Sequence, residues 1–236
     1  GMKYKLNHGY NESKPLDQLD INDMRKAGKV QDMKAKGNYG EDAVIAICSD
    51  RKTRQGHGLL YQGFMYPYAS NRDGVVYAGN IVYNTETGKF TEYSNKSIND
   101  EIDVLYVTPY RIFAIEVKSY HANLIIDKNG WLYRSGQPVD KSPIAQAEKH
   151  ARHLYQSIYE VIPDGDWHYI VPIVCFVDRC KVSDDRHPVF VNYIPVCILN
   201  NLLNCINKYN KPLDYNLDLN EIAKKLNSIK VSAKEF

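Results

Sequence analysis

Apolar positions recur at helical spacing in KGNYGEDAVIAICSD, where Ala43, Val44, Ile47 and Cys48 share one face and Asn38 can cap the start. This predicts a helix over 39–50. The basic, glycine-containing stretch RKTRQGHG at 51–58 reads as loop, and Tyr- and Val-rich runs at 59–66 and 75–84 read as strands. Between 101 and 118 two apolar runs are split by Thr108, Pro109, Tyr110 and Arg111, which predicts a β-hairpin. A second hairpin is expected at 124–134 around Asn129 and Gly130. Ser142 followed by Pro143 opens a helix to about 162, with an apolar stripe of Ile144, Ala147, Ala151, Leu154, Ile158 and Val161 that leaves Gln146, His150 and Ser157 on its flank. The run at 168–178 is apolar on both faces, as a strand covered by helices should be. A strand near 188–194 and helices near 198–208 and 218–229 complete the pattern. The polar first 37 residues read as an arm with one short helix around 17–33.

Strand 112–118 is apolar on both faces until Glu116 and Lys118. These two share a face, where an uncompensated buried carboxylate costs several kcal/mol. Pro109 suits the second position of a type I turn, which favours a four-residue loop of 108–111 with Val107 opposite Ile112. On that register Asp103 lies opposite Glu116, and Glu101 opposite Lys118, with Cβ atoms about 5 Å apart. Two converging carboxylates repel each other unless a cation sits between them, and a hard oxygen-liganded ion such as Mg²⁺ suits such a site. Phosphodiester hydrolysis is the chemistry implied, with Lys118 placed to position water or stabilise developing charge.

Each element also has an ordinary reading. A lone E-x-K arises roughly once by chance in a chain of this size. Glu41, three residues after Asn38, can complete a helix cap. Gln146 and His150, four apart on one flank, belong to a class of pair that more often faces solvent or bonds to neighbours than takes part in catalysis.

Composition narrows the picture only slightly. The chain has 236 residues, is 44% hydrophobic and 25% charged, and carries a net charge of +2. This describes one ordinary folded domain with decorations, too mildly basic to argue for nucleic acid by charge alone. Five cysteines without a C-x-x-C pair read as reduced thiols of a cytoplasmic protein, and Cys175, Cys180 and His187 match no common zinc spacing. No apolar stretch approaches a membrane span.

Four spaced motifs carry a family likeness: G-N-Y-G-E-D at 37–42, E-I-D-V-L at 101–105, I-E-V-K-S-Y at 115–120 and S-P-I-A-Q-A at 142–147. In these the sequence resembles the NERD (nuclease-related) domain of the PD-(D/E)XK, restriction-endonuclease-like superfamily. The resemblance implies an α/β fold, a restriction-endonuclease-like α/β/α sandwich. Its central mixed sheet is flanked by the helix carrying Glu41 on one side and the helix carrying Gln146 on the other.

By position, Asp103, Glu116 and Lys118 are similar to the catalytic core, the Val117 carbonyl to a further metal ligand, and Glu41 to the helix-borne acid. Gln146 is similar to the residue that orients water or the lysine. The motif aspartate follows Ile102, where proline is common across the superfamily. The domain reading is an arm at 1–36, a nuclease domain at 37–200 and a helical extension at 201–236. The functional expectation is a Mg²⁺-dependent nuclease, with Mn²⁺ as a substitute, acting on nucleic acid and first of all DNA, in the bacterial cytoplasm.

Two other functions compete. One is a non-cleaving nucleic-acid-binding module that uses Arg51, Lys52, Arg54, Lys141, Lys149 and Arg152. The other, a retaining glycosidase, accounts for the carboxylate separation but not for Lys118.

Overall fold

The 108–111 turn predicted from Pro109 organises the sheet. In the computed structural model, strand β6 (Asn99–Val107) turns through these four residues into β7 (Ile112–Lys118), pairing Val107 with Ile112 and Val104 with Ile115. Thr108 closes the turn, its Oγ1 accepting from the N–H groups of Tyr110 and Arg111. The structure describes residues 39–72, 75–78, 81–92, 99–188 and 193–236. The arm, its expected helix and the Asn38 cap lie outside them. Residues 39–236 form one compact unit.

The six-stranded mixed sheet continues on both sides of the hairpin. On one side lie β1 (Leu59–Pro67) and β14 (Ser232–Glu235), both antiparallel; on the other lie β11 (Ile170–Phe176) and β13 (Val196–Ile198), both parallel. Alternating side chains feed two cores. Leu105, Val107, Ile112 and Ala114 pack under Ala151, Leu154 and Ile158 of α2 (Pro143–Ile158) and Ile222 and Leu226 of α4 (Leu219–Ile229). Val104, Tyr106, Phe113 and Ile115 pack under Val44, Ile45 and Cys48 of α1 (residues 39–55) and Leu202 and Ile206 of α3 (Leu202–Tyr209). The fold is therefore an α/β sandwich with α1 and α2 on opposite faces, as the resemblance implied. At roughly 1.5–3 kcal/mol per fully buried large apolar side chain, these two layers dominate its stability.

Two smaller sheets decorate this frame. One is the antiparallel series β2 (Ala69–Arg72), β3 (Val75–Ala78), β4 (Ile81–Asn84) and β5 (Lys89–Glu92). The other joins β8 (Asn123–Ile126), β9 (Leu132–Arg134), β10 (Gln137–Pro138) and β12 (Lys181–Asp184). The hairpin around Asn129 and Gly130 is present as β8 and β9.

Two expectations are corrected. The run at 75–84 is two antiparallel strands, because Ala78 pairs with Ile81. Residues 51–55 continue α1 instead of forming a loop; the helix ends where Gly56, at φ +76°, donates its N–H to the Lys52 and Thr53 carbonyls. Most of the strand expected near 188–194 lies outside the described residues, at 189–192; a strand follows at Val196–Ile198. The C-terminal segment also adds β14, an edge strand too polar for its alternation to announce it.

Candidate functional site

The central sheet opens at Asp103. The β1–β6 register is constant from Leu59–Val107 to Pro67–Asn99, yet the side chains change face midway. Leu60 and Val104 join the α1 core, whereas Phe64 and Ile102, an even number of residues away, join the α2 core. The residues between them are Gly63, at φ +60°, and Asp103, a matched irregularity that glycine permits. Beyond this point β6 stays with β1 and β7 stays with β11, whose pairing continues to Lys118–Phe176. The β6–β7 ladder ends at Val104–Ile115. The register derived from the turn is therefore present, but Asp103 and Glu116 stand at the mouth of a fork just past the last rung. Glu101 pairs with Met65 of β1.

Polar groups fill the fork. Asp103 Oδ2 accepts from the Val117 N–H at 2.9 Å, serving the strand where its neighbour has peeled away. Glu116 is only 5% exposed. Its Oε1 faces Lys118 Nζ at 3.5 Å and its Oε2 faces His150 Nδ1 at 3.1 Å. His150 Nε2 meets Asp100 Oδ1 at 3.2 Å. The other Asp100 oxygen, Oδ2, is held by His153 Nδ1 at 2.8 Å and by the Tyr66 hydroxyl at 3.4 Å. Its place between two carboxylates favours a positive charge on His150, whose Nδ1 hydrogen-bonds Glu116 and whose Nε2 faces Asp100 as an ion-pair contact. Burial opposes that charge, but the hydrogen bond to Glu116 and the charges of Asp100 and Glu116 outweigh it, so the His150 pKa is raised.

Glu41 reaches the fork from the opposite layer because Gly40 lets α1 sit close to the sheet. A Cβ at Gly40 would lie 2.6 Å from Val177 Cγ2 and 3.4 Å from Val117 Cγ1. The Glu41 carboxyl is pushed up to about 8, first by burial and then by the charges of Asp103, Glu101, Asp42 and Glu116. Burial and Glu116 also raise Asp103, against the opposing Val117 N–H and Lys118. The fork thus gathers more carboxylate than its cations balance. Among the described residues no three His, Cys, Asp or Glu side chains are grouped so as to hold an ion as they stand.

Of the residues anticipated from sequence, Asp103, Glu116 and Lys118 meet in one place, with Glu41 within electrostatic reach. Gln146 lies one turn before His150 on α2, and its Oε1 is buried without a hydrogen-bond partner among the described residues. His150, expected either to face solvent or to bond to its neighbours, does the second: it bridges Glu116 and Asp100. Sequence reasoning also passed over Asp100 and His153. The spacing of 146, 150 and 153, a polar helical stripe beside the apolar one, is the signal that could have found His153.

Arg51 is corrected in the other direction. It is buried, donating to Tyr106 Oη at 2.8 Å and Asn207 Oδ1 at 2.9 Å, and so is not a free surface cation.

The profile of the nuclease-related domain, NERD, matches residues 36–177, more than half of the 236. The chain belongs to the NERD family. The matched span contains the whole fork, from α1 through β6 and β7 to α2 and β11. Comparison with curated proteins and with solved structures returned no match. No helix among the described residues is long and apolar enough to cross a membrane.

Proposed function

We propose that this NERD protein is a divalent-metal-dependent nuclease that hydrolyses phosphodiester bonds, with DNA as its first substrate class. The observation that carries the reading is the surplus of carboxylate at the fork, where buried Glu116 is joined by half-buried Glu41 and Asp103, both held well above the usual carboxylate range by burial and by neighbouring acidic charge. Such a donor set fits a hard, oxygen-seeking cation, Mg²⁺ or Mn²⁺. Asp103, Glu116, Glu41 and the Val117 carbonyl are the groups that would hold it. A cation bound there supplies Lewis acidity toward a phosphoryl oxygen and a water of lowered pKa.

The remaining work falls to the protein. Lys118, whose ammonium stands 3.5 Å from Glu116, is placed to orient the attacking water and to offset negative charge that develops on the phosphate oxygens. Gln146, one turn before His150 on α2, offers an amide whose Oε1 has no hydrogen-bond partner among the described residues. The test is incubation of the full chain with DNA, with and without Mg²⁺ or Mn²⁺. Cleavage that depends on the ion and is lost in Asp103→Ala is expected; its absence, or its persistence in that variant, overturns the reading.

The occupation of both Glu116 oxygens, by Lys118 and His150, favours a second reading as a module that holds nucleic acid without cutting it. With Arg51 committed to the core, its cations would be Lys52, Arg54, Lys141, Lys149 and Arg152. Salt-dependent binding that survives loss of the carboxylates, without cleavage, distinguishes it.

A further inference from the structure

Past Val104 and Ile115 nothing in the sheet ladder fixes the distance between β6 and β7, yet the proposed chemistry needs Asp103 on one and Glu116 on the other at a set separation. Two side chains span the gap: Asp103 itself, whose Oδ2 accepts from the Val117 N–H of β7 at 2.9 Å, and His150 from the helix above. His150 reaches down from α2 with Nδ1 on Glu116 Oε2 (3.1 Å) in β7 and Nε2 on Asp100 Oδ1 (3.2 Å) in β6. Both ring nitrogens are engaged, one to each arm of the fork.

The β6 anchor is itself held. Asp100 Oδ2 receives His153 Nδ1 at 2.8 Å, and the His153 ring stacks on Tyr68 with centroids 4.4 Å apart and planes within 15°. Asp100 is 6% exposed, and the Tyr66 hydroxyl closes the cluster, its one proton shared between Asp100 Oδ2 at 3.4 Å and the His150 carbonyl at 3.3 Å.

We infer that His150, backed by Asp100 and His153, is a strut across the fork that sets the position of Glu116 relative to Asp103. It is a positioning residue for the metal-binding carboxylates. The inference rests on the nuclease reading. Asp100 and His150 lie outside the ligand set assigned above, so removing them leaves every proposed ligand in place and changes only how those ligands are held.

The test uses the full chain and Mn²⁺ itself, titrated calorimetrically, together with thermal melting and DNA-cleavage kinetics. His150→Ala is expected to weaken Mn²⁺ binding by about 10- to 100-fold, the usual effect of losing a group that orients a ligand. His150→Gln, which keeps one N–H donor for Glu116, is expected to recover part of that loss, and Asp100→Asn to fall between wild type and His150→Ala. Under saturating Mn²⁺, kcat should fall while KM for DNA holds, because the strut touches no substrate. Should His150→Ala fail to fold, the other two variants carry the comparison. If all folded variants bind Mn²⁺ as tightly as wild type, the strut is refuted and the nuclease reading stands. If wild type binds no Mn²⁺, both fall together.

Discussion

Gly40→Ala tests how α1 delivers Glu41 to the fork. The added methyl would sit 2.6 Å from Val177 Cγ2 and 3.4 Å from Val117 Cγ1. Carbon atoms rest comfortably at about 3.5–4.0 Å, so the first contact is short by roughly 1 Å. Val177 is branched at Cβ and stiff, and cannot swing clear as the end of a long side chain could. Overpacking of this kind costs about 1–3 kcal/mol, and the better helix propensity of alanine returns at most about 1. A net loss of about 1–2 kcal/mol is expected, read as a lowered urea midpoint at unchanged slope.

Val177→Ala in the same chain removes the clashing methyl. The double variant should therefore be more stable than the two single losses predict, by about 1–2 kcal/mol of coupling. Ion-dependent DNA cleavage should fall in Gly40→Ala, where the helix must lift Glu41 from the sheet, and return in part in the double variant. A Gly40→Ala protein as stable as its parent, or a loss that Val177→Ala leaves untouched, refutes the packing argument.

Three further outcomes are expected of the same structure. Glu41→Gln removes a carboxylate that burial and four acidic neighbours disfavour; the ion-free protein should melt higher while cleavage is lost, the trade expected where function maintains strain. Arg51→Ala strands the buried Tyr106 hydroxyl and gives up two charged hydrogen bonds, the second to the exposed Asn207. It should cost about 3 kcal/mol in urea denaturation yet leave DNA affinity of the folded fraction unchanged. The Asp100 pKa is lowered, since the His153 hydrogen bond, the His150 and His153 charges and the Glu101 N–H together outweigh burial. A depressed carboxyl stabilises the fold fully above its unfolded pKa of about 3.9, and that contribution is lost as pH falls through the lower folded value. Melting temperature measured down through this acid range should fall less steeply in Asp100→Asn than in wild type; identical slopes would contradict the assignment.

The sequence made the hairpin and its register legible because Pro109, in a four-residue loop, leaves few ways to pair the flanking apolar runs. It made the layers legible because α1 and α2 each carry an apolar stripe. The fork was hidden, since Gly63 and Asp103 break alternation in both strands at once and the pairing numbers stay constant. Nothing local to either strand signals such a compensated change. Residues 51–55 lack apolar spacing, so the end of α1 was read as loop. The strand at Ser232–Glu235 pairs through its backbone at a sheet edge, where side-chain pattern has little say. His150 was undervalued because a polar helix flank identifies its function only when the facing strands are known. Its partners, Asp100 and Glu116, come from segments 50 and 34 residues away.

On the proposed reading, the carboxylates at the fork bind a divalent ion and with it cut DNA. The most direct measurement is single-turnover cleavage of a labelled duplex by wild type and Glu116→Gln, each with Mn²⁺ and with chelator. Ion-dependent cleavage by wild type is expected, abolished by chelator and reduced by at least about 100-fold in Glu116→Gln, the scale of losing a group that stabilises transition-state charge. Cleavage that survives the chelator, or equal rates in the two proteins, would contradict it.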